Sequence, residues 1–142
     1  MSLNICIQIH TYLLFIEGKM PYFEFYGGYN GTGSLMCTVE LNPLNGSFSM
    51  LGASDMEERT GCGNDRANSM KLCFGKKGTK VRVYPGKPRP GDQGSEIYVD
   101  RDMGNRCQTI DNFMDNKLYC DVKVDYIGGN NKISSFDVTY GN

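Results

Sequence analysis

KLYCDVKVD, the stretch from Lys117 to Asp125, indicates the fold class most clearly. Apolar residues and a cysteine alternate along it with charged and polar residues, which is the period of two that a half-buried β-strand has. We therefore predict one strand over Lys117–Asp125. The residues predicted to face the core are Leu118, Cys120, Val122 and Val124, and those predicted to face solvent are Tyr119, Asp121, Lys123 and Asp125.

The same alternation recurs in Lys80–Tyr84, with both valines predicted to face inward and Arg82 and Tyr84 outward. Outward from these two stretches, short runs rich in β-branched and aromatic residues are separated by Gly, Asn and Pro, which is typical of all-β proteins. Only Ala53–Thr60 has a helical composition, so we predict an all-β fold with at most one short helix. The remaining predicted strands are Tyr22–Tyr26, Ser34–Leu41, Ser47–Leu51, Ser69–Phe74, Ser95–Val99 and Ile133–Tyr140.

The composition argues against several classes of function. The chain has 142 residues, with 15 basic and 16 acidic residues and a net charge of -1. This balance gives no electrostatic basis for binding nucleic acid or an anionic membrane, so we predict neither partner. His10 is the only histidine, which argues against histidine-based catalysis and most catalytic zinc sites. Adjacent acidic residues such as Glu57 and Glu58 are typical of a solvated turn, and we predict that the protein is not an enzyme.

The six cysteines indicate disulfides rather than a zinc site. They form no Cys-x-x-Cys pair, and no histidine lies near the two that are closest in sequence. In a small chain this cysteine content favours an oxidising compartment, and therefore secretion. Cys6 lies in a different kind of segment from the other five, and the sequence does not choose among the possible pairings. The disulfide candidates are Cys37, Cys62, Cys73, Cys107 and Cys120.

Two N-x-S/T acceptor motifs, Asn30-Gly31-Thr32 and Asn45-Gly46-Ser47, also fit an exported protein. Such short matches arise often by chance in a chain with twelve asparagines. Asn-Gly is in addition a preferred turn dipeptide. A turn is therefore the interpretation that we favour at both positions.

Residues 1–20 differ from the rest of the chain. Leu3–Ile16 is largely apolar but too short and too polar to span a bilayer, and it lacks the basic start and clear cleavage site of a signal peptide. It is a weak signal peptide, an extra strand, or sequence upstream of a start at Met20, and the sequence does not separate these. We predict a single β-sandwich domain over residues 21–142, in a protein that is secreted, or cytoplasmic if Met20 is the true start.

Two six-residue segments share a pattern of side chains. Asn64–Ser69 reads NDRANS and Asn130–Ser135 reads NNKISS, and each leads into a predicted strand. The pattern resembles the calcium-binding signature of microbial βγ-crystallins, (N/D)-(N/D)-x-x-(S/T)-S, which closes each Greek-key motif of that family. Phe23–Gly31, an aromatic strand followed by a Gly-rich hairpin, is similar to the opening of such a motif. The resemblance implies a βγ-crystallin-like Greek-key β-sandwich of two motifs.

The chain departs from the family pattern at several places. Asn68 stands where the family has Ser or Thr. The second motif, Lys80–Val138, is long and carries PGKPRPGDQG (Pro85–Gly94) in place of the aromatic hairpin. Asp115-Asn116-Lys117 offers an alternative end for this motif, although no hydroxyl-bearing pair follows it. A plain hairpin turn is the alternative interpretation of Asn130–Ser135.

The resemblance also implies which atoms would hold calcium, because two such loops lie side by side in the family. Calcium takes about six to eight oxygen ligands at roughly 2.3–2.6 Å. Ser69 and Ser135 would instead bond turn backbone. Asp65 is the only charged side chain among the implied ligands, so binding should be weak, with a dissociation constant of roughly 10⁻⁴–10⁻³ M. The implied metal ligands are the side chains of Asp65, Asn68, Asn131 and Ser134 and the backbone carbonyls of Arg66 and Lys132.

Two functions from different classes fit the sequence. The first is a small non-enzymatic calcium-binding protein of the βγ-crystallin type, structural or stress-related, in which the metal stabilises the fold. The second is a secreted interaction protein, such as a killer toxin, an effector or a protease inhibitor, on a β-sandwich scaffold. Its contact surface for a protein partner would be Pro85–Gly94, because rigid sandwiches carry function on their loops. We predict a monomer in both cases.

Overall fold

The computed structural model describes residues 19–46, 48–50, 67–85, 94–128, 133 and 135–141. These residues form β-strands and one short 3₁₀ turn at Pro43–Asn45, and no α-helix occurs among them. The helix predicted over residues 53–60 lies outside the described ranges. The strands are β1 (Tyr22–Tyr26), β2 (Leu35–Glu40), β3 (Phe48–Met50), β4 (Ser69–Cys73), β5 (Lys80–Tyr84), β6 (Ser95–Val99), β7 (Cys107–Ile110), β8 (Lys117–Leu118), β9 (Val122–Tyr126) and β10 (Ser135–Thr139).

The all-β prediction is confirmed, and most predicted strands form. β1, β5 and β6 begin and end at the predicted residues, while β2, β3, β4 and β10 lie inside slightly longer predicted ranges. β7 was not predicted, because Cys107–Ile110 has too few apolar residues to show an alternation. Its strand conformation comes from pairing with β4, which is a tertiary contact that local pattern does not report.

The prediction of one strand over Lys117–Asp125 is wrong, because the chain turns there between β8 and β9. The N–H of Tyr119 donates to the carbonyl oxygen of Val122 at 2.8 Å and closes a tight turn. Residues opposite each other in a hairpin point to the same side, so Tyr119 joins Val122 in the core. Tyr119 and Asp121 are consequently buried and Leu118 is 68% exposed, which reverses their predicted faces. Within β9 the prediction holds, since both valines are buried.

The strands form two antiparallel sheets. Sheet A has the order β2-β1-β4-β7, and sheet B has the order β3-β10-β5-β6-β9-β8. β3 follows β2 along the chain but lies in sheet B beside β10, and β7 follows β6 but lies in sheet A beside β4. The first half of the chain (β1–β4) and the second half (β5–β10) therefore exchange one strand each.

The two sheets share one hydrophobic core. Phe23 and Phe25 of β1 meet Phe136 of β10, with ring centroids 5.3 and 5.7 Å apart, in edge-to-face contacts. All three side chains are fully buried. The fold is thus sandwich-like, with each half of the chain supplying aromatic residues to the same centre.

The disulfide between Cys73 and Cys107 links β4 to β7. The two residues are opposite each other in register, with their Cα atoms 4.0 Å apart. Cys37 and Cys120 are also disulfide-bonded, so the described part of the chain has no free cysteine. Four of the five predicted candidates are therefore confirmed as disulfide cysteines, and Cys62 lies outside the described residues.

Candidate metal site

The two Asn/Asp/Ser segments meet in the structure. We call residues 64–69 the first segment and residues 130–135 the second segment. Ala67 and Ile133 form an isolated antiparallel bridge, and each is only 1% exposed. Each is also the fourth residue of its segment, so the segments meet at equivalent positions, next to the strand that closes each half of the chain. Ala67 and Ile133 therefore adjoin, as the prediction that the two loops come together requires; residues 64–66, 130–132 and 134 lie outside the described ranges.

Ser69 fastens the hairpin that joins β1 to β2, which we call the first hairpin (residues 27–33). Its hydroxyl donates to the carbonyl oxygen of Gly28 at 2.5 Å and accepts a hydrogen bond from the N–H of Gly31 at 2.9 Å. The Ser69 side chain is fully buried, and the two glycines that it bonds are half-buried. The expected role of Ser69 in bonding turn backbone is confirmed, and the turn belongs to the first hairpin.

The tip of the first hairpin is a tight turn at Asn30-Gly31. The N–H of Thr32 donates to the carbonyl oxygen of Tyr29 at 3.0 Å, and φ is 57° at Asn30 and 68° at Gly31. Two successive positive φ angles are those of a type I′ turn, for which Asn-Gly is a preferred pair. A Cβ atom at Gly31 would lie 3.1 Å from the methyl group of Thr109. Glycine therefore permits both the turn and its close packing on β7.

Asn68 is the one implied calcium ligand that the described residues include. Its Nδ2 donates to the carbonyl oxygen of Gly27 at 2.5 Å, and its backbone N–H donates to that of Tyr26 at 2.9 Å. Nδ2 is therefore committed to the first hairpin, and an amide side chain binds calcium through its oxygen. The implied ligands that lie outside the described residues are Asp65, Arg66, Asn131, Lys132 and Ser134.

The donor atoms of the two segments suit calcium better than a transition metal. The implied set is made only of oxygen atoms, from a carboxylate, amides, a hydroxyl and backbone carbonyls, which are the ligands that calcium prefers. Zinc and copper favour imidazole and thiolate, and neither segment contains His or Cys. The residues present therefore fit calcium in the kind of atoms they supply.

The rest of the described chain offers no competing metal site. Among the described residues, no three or more His, Cys, Asp or Glu side chains form a group that could hold a metal ion. The alternative end of the second motif, at Asp115-Asn116, has a structural use: Asn116 Oδ1 accepts a hydrogen bond from the N–H of Tyr126 at 2.8 Å. This bond satisfies the backbone at the end of β9.

Two polar pairs that the sequence did not predict fix parts of the sheets. The carboxylate of Asp121 is buried and lies 2.8 Å from Nη2 of Arg106. On the outer face of β1, Tyr26 donates to Glu24 at 2.5 Å. That hydrogen bond, followed by partial burial, raises the pKa of Tyr26 to about 12. The alternation along Tyr22–Tyr26 places Glu24 and Tyr26 on one face, but it does not report their contact.

The outer face of sheet B carries a network of an ion pair and a hydrogen bond between side chains of neighbouring strands. Arg82 lies between Glu96 and Asp137 in register, and its Nη2 is 2.7 Å from Glu96. Tyr84 donates to Asp137 at 2.7 Å. Burial, followed by this bond, raises the pKa of Tyr84. Tyr84 was predicted to face solvent and does lie on the outer face, but it is only 7% exposed.

Comparison with protein-family models, curated proteins and solved structures finds no match for this chain. None of the helical turns in the described part of the chain is long and apolar enough to cross a membrane.

Proposed function

We propose that this protein is a small, non-enzymatic calcium-binding module of the βγ-crystallin type, in which the ion is held between the first and second segments. The observation that carries the proposal is the bridge between Ala67 and Ile133. All ligands of one calcium ion lie within about 2.6 Å of it, so two loops can share an ion only if they adjoin. The bridge joins the two segments at equivalent residues, which supports a shared site.

The order of the strands supports the Greek-key part of the proposal. In a Greek key the fourth strand returns to lie beside the first. β4 lies beside β1, and β10 lies beside β5. The two sheets also share one arrangement. In sheet A, three strands of the first half (β2-β1-β4) are followed by β7 of the second half. In sheet B, three strands of the second half (β6-β5-β10) are followed by β3 of the first half.

Ser69 supports the proposal independently of the strand order. It occupies the last position of the first segment and holds the first hairpin through Gly28 and Gly31. The last residue of the first segment therefore stabilises the fold. The proposed calcium ligands are oxygen atoms of the residues that precede it. Asn68 also contacts the hairpin, through its Nδ2.

In the proposed role, bound calcium neutralises the carboxylate of Asp65. It also connects the two halves of the chain, because it binds to both segments. Each half supplies one loop, so the ion would stabilise the assembled fold by mass action. Arg66 and Lys132, at the third position of each segment, would contribute carbonyl oxygens while adding positive charge nearby. This charge pattern supports the weak affinity expected above.

Thermal melting with added calcium tests the proposal. At about 10 mM calcium, a dissociation constant of roughly 10⁻⁴–10⁻³ M gives about 1.4–2.7 kcal/mol of stabilisation. For a chain of this size, that free energy raises the melting temperature by about 4–10 °C. Asp65→Ala should remove most of the shift, because it takes away the only carboxylate, and Ser134→Ala should remove less.

Asp100→Ala is the matched control, because Asp100 is exposed and lies outside both segments and outside the alternative motif end at residues 115–117. This variant should keep the full response to calcium. A melting temperature that does not respond to calcium would contradict the proposal, and so would equal responses in Asp65→Ala and the parent protein.

A secreted interaction protein is the second candidate function. The Cys73–Cys107 disulfide favours it, because such bonds persist in oxidising compartments. Its contact surface would be residues 85–94, of which the structure describes the two ends. Failure of the calcium test would make this candidate the leading one.

A further inference from the structure

We propose that Asn30, at the tip of the first hairpin, is a site of N-linked glycosylation. Asn30-Gly31-Thr32 is an N-x-T acceptor, and such acceptors are used on the surface loops of secreted proteins. The turn formed by Asn30-Gly31 is compatible with a glycan that is already attached, since a turn at a hairpin tip presents its side chains to solvent. The inference is independent of calcium binding.

The surroundings of Asn30 would accommodate a large polar group. The residue is exposed, while its backbone N–H donates to the carbonyl oxygen of Asp111 at 3.2 Å. The backbone is therefore held to the rest of the fold, while the residue is accessible to solvent. An oligosaccharide on Nδ2 would displace no buried contact.

Two exposed apolar side chains lie in or next to the first hairpin, near Asn30 in sequence. Tyr29, next to Asn30, and Leu35, at the start of β2, are each 52% exposed. An attached oligosaccharide is bulky and solubilising. A glycan at Asn30 would therefore shield this end of sheet A.

The disulfides provide a second, independent observation. Cys37, Cys73, Cys107 and Cys120 are all disulfide-bonded. Structural disulfides form in the oxidising compartments through which secreted chains pass, and in eukaryotic cells the transfer of N-linked oligosaccharides takes place in the same compartment. The acceptor motif and the bonded cysteines thus point to one route of synthesis.

The transfer joins Nδ2 of Asn30 to the anomeric carbon of an oligosaccharide that is carried on a lipid pyrophosphate. The carbon–nitrogen bond forms as the anomeric carbon–oxygen bond breaks; Nδ2 loses one proton, and the lipid pyrophosphate leaves with the electron pair. In the folded hairpin the hydroxyl of Thr32 donates to the carbonyl oxygen of Tyr29 at 2.5 Å. Because Thr32 is part of the acceptor motif, we place the transfer before the hairpin closes.

The test is secretion of the full chain from a eukaryotic host, followed by intact-mass and peptide analysis. The secreted protein should carry an added mass that peptide-N-glycosidase removes. Release in heavy-oxygen water should then leave labelled aspartate at position 30. The label matters because Asn-Gly also deamidates spontaneously, and that reaction before the digest leaves no heavy oxygen.

Three variants make the assignment specific to Asn30. Thr32→Ser keeps the acceptor motif and a hydroxyl, so the glycan should remain. Thr32→Ala removes both, and Asn30→Asp removes the acceptor while keeping a residue that tolerates positive φ; both should lose the added mass at position 30. Unmodified Asn30 in the secreted, folded parent protein would overturn the proposal, as would added mass that occurs only at Asn45 or that persists at position 30 in Thr32→Ala.

Discussion

The two halves of the molecule reach the same arrangement with different amounts of chain. The first half uses four strands and one tight hairpin, which Ser69 fastens. The second half uses six strands, because β7, β8 and β9 intervene between β6 and the closing strand β10. Of these, β7 completes sheet A, while β8 and β9 extend sheet B beyond β6.

This difference shows where the fold tolerates added chain. The additional hairpin of β8 and β9 pairs with β6 on the side away from β5 and β10. It is therefore not next to the strand that follows the bridge between Ala67 and Ile133. The open edge of a sheet presents unpaired backbone groups that readily accept another strand. Growth at the edge therefore widens one sheet and preserves the relation between the halves.

Removing the Cys73–Cys107 disulfide, which links the two halves of the chain, should reduce the free energy of unfolding most. The double variant Cys73→Ala, Cys107→Ala should lose about 2–4 kcal/mol of unfolding free energy, because the bond restricts the unfolded chain. Urea denaturation without reductant measures this loss. A change below about 0.5 kcal/mol, the range of ordinary surface substitutions, would mean that the disulfide does not hold β7 in sheet A.

Breaking the ion pair near the added hairpin should have the next largest effect. Arg106→Ala leaves the buried carboxylate of Asp121 without the guanidinium 2.8 Å away, and a lost hydrogen bond to a charged group costs about 1.5–3 kcal/mol. Arg101→Ala is the matched control, since Arg101 is exposed in the same connection. Equal urea midpoints for the two variants would contradict a role for this pair in fixing the hairpin.

Loosening the first hairpin should cost somewhat less. Ser69→Ala removes the hydroxyl that bonds Gly28 and Gly31, for an expected loss of about 1–2 kcal/mol. Ser34→Ala makes the same change at an exposed position beside the hairpin and should be nearly neutral. If Ser69→Ala were equally neutral, the fastening of the first hairpin would not depend on this hydroxyl.

The smallest effect concerns Tyr26 and appears only at high pH. Its hydrogen bond to Glu24, followed by partial burial, raises the pKa of Tyr26 from 10.0 to about 12. A raised folded-state pKa contributes stability that is fully present below pH 10.0 and is lost as the pH rises towards 12. In an absorbance titration of tyrosinate, Tyr26→Phe should remove one late-titrating group. Glu24→Gln should lower the pKa of that group, and an unchanged titration would contradict the assignment.

The sequence predicted strands where pattern and turn signals agreed. Lys80–Tyr84 was predicted at its observed bounds, because a clean alternation lies between flanking glycine and proline. The stretch from Lys117 to Asp125 has an equally clean alternation but contains a turn at Cys120-Asp121. That turn was not predicted, because one aspartate is a weaker turn signal than glycine or proline and the alternation continues through it. The alternation of apolar and polar residues therefore indicates which residues can form strands, but it does not indicate where the chain turns.

The candidate site was predicted from the likeness of the two segments, and its meeting point at Ala67 and Ile133 agrees with that prediction. Contacts that depend on distant elements were not predictable. Arg106 meets Asp121 because two connections pack together, and Cys107 joins a strand because Cys73 lies opposite it. No local period encodes either contact.

Amide proton–nitrogen NMR spectra recorded during a calcium titration test whether the two segments share one ion. We expect the amide signals of Ala67 and Ile133 to shift together, with one apparent dissociation constant of roughly 10⁻⁴–10⁻³ M. A shared constant is expected because one bound ion would lie against both segments. Spectra unchanged at about 10 mM calcium, ten or more times the dissociation constant expected for such modules, would contradict the claim, as would shifts confined to one segment.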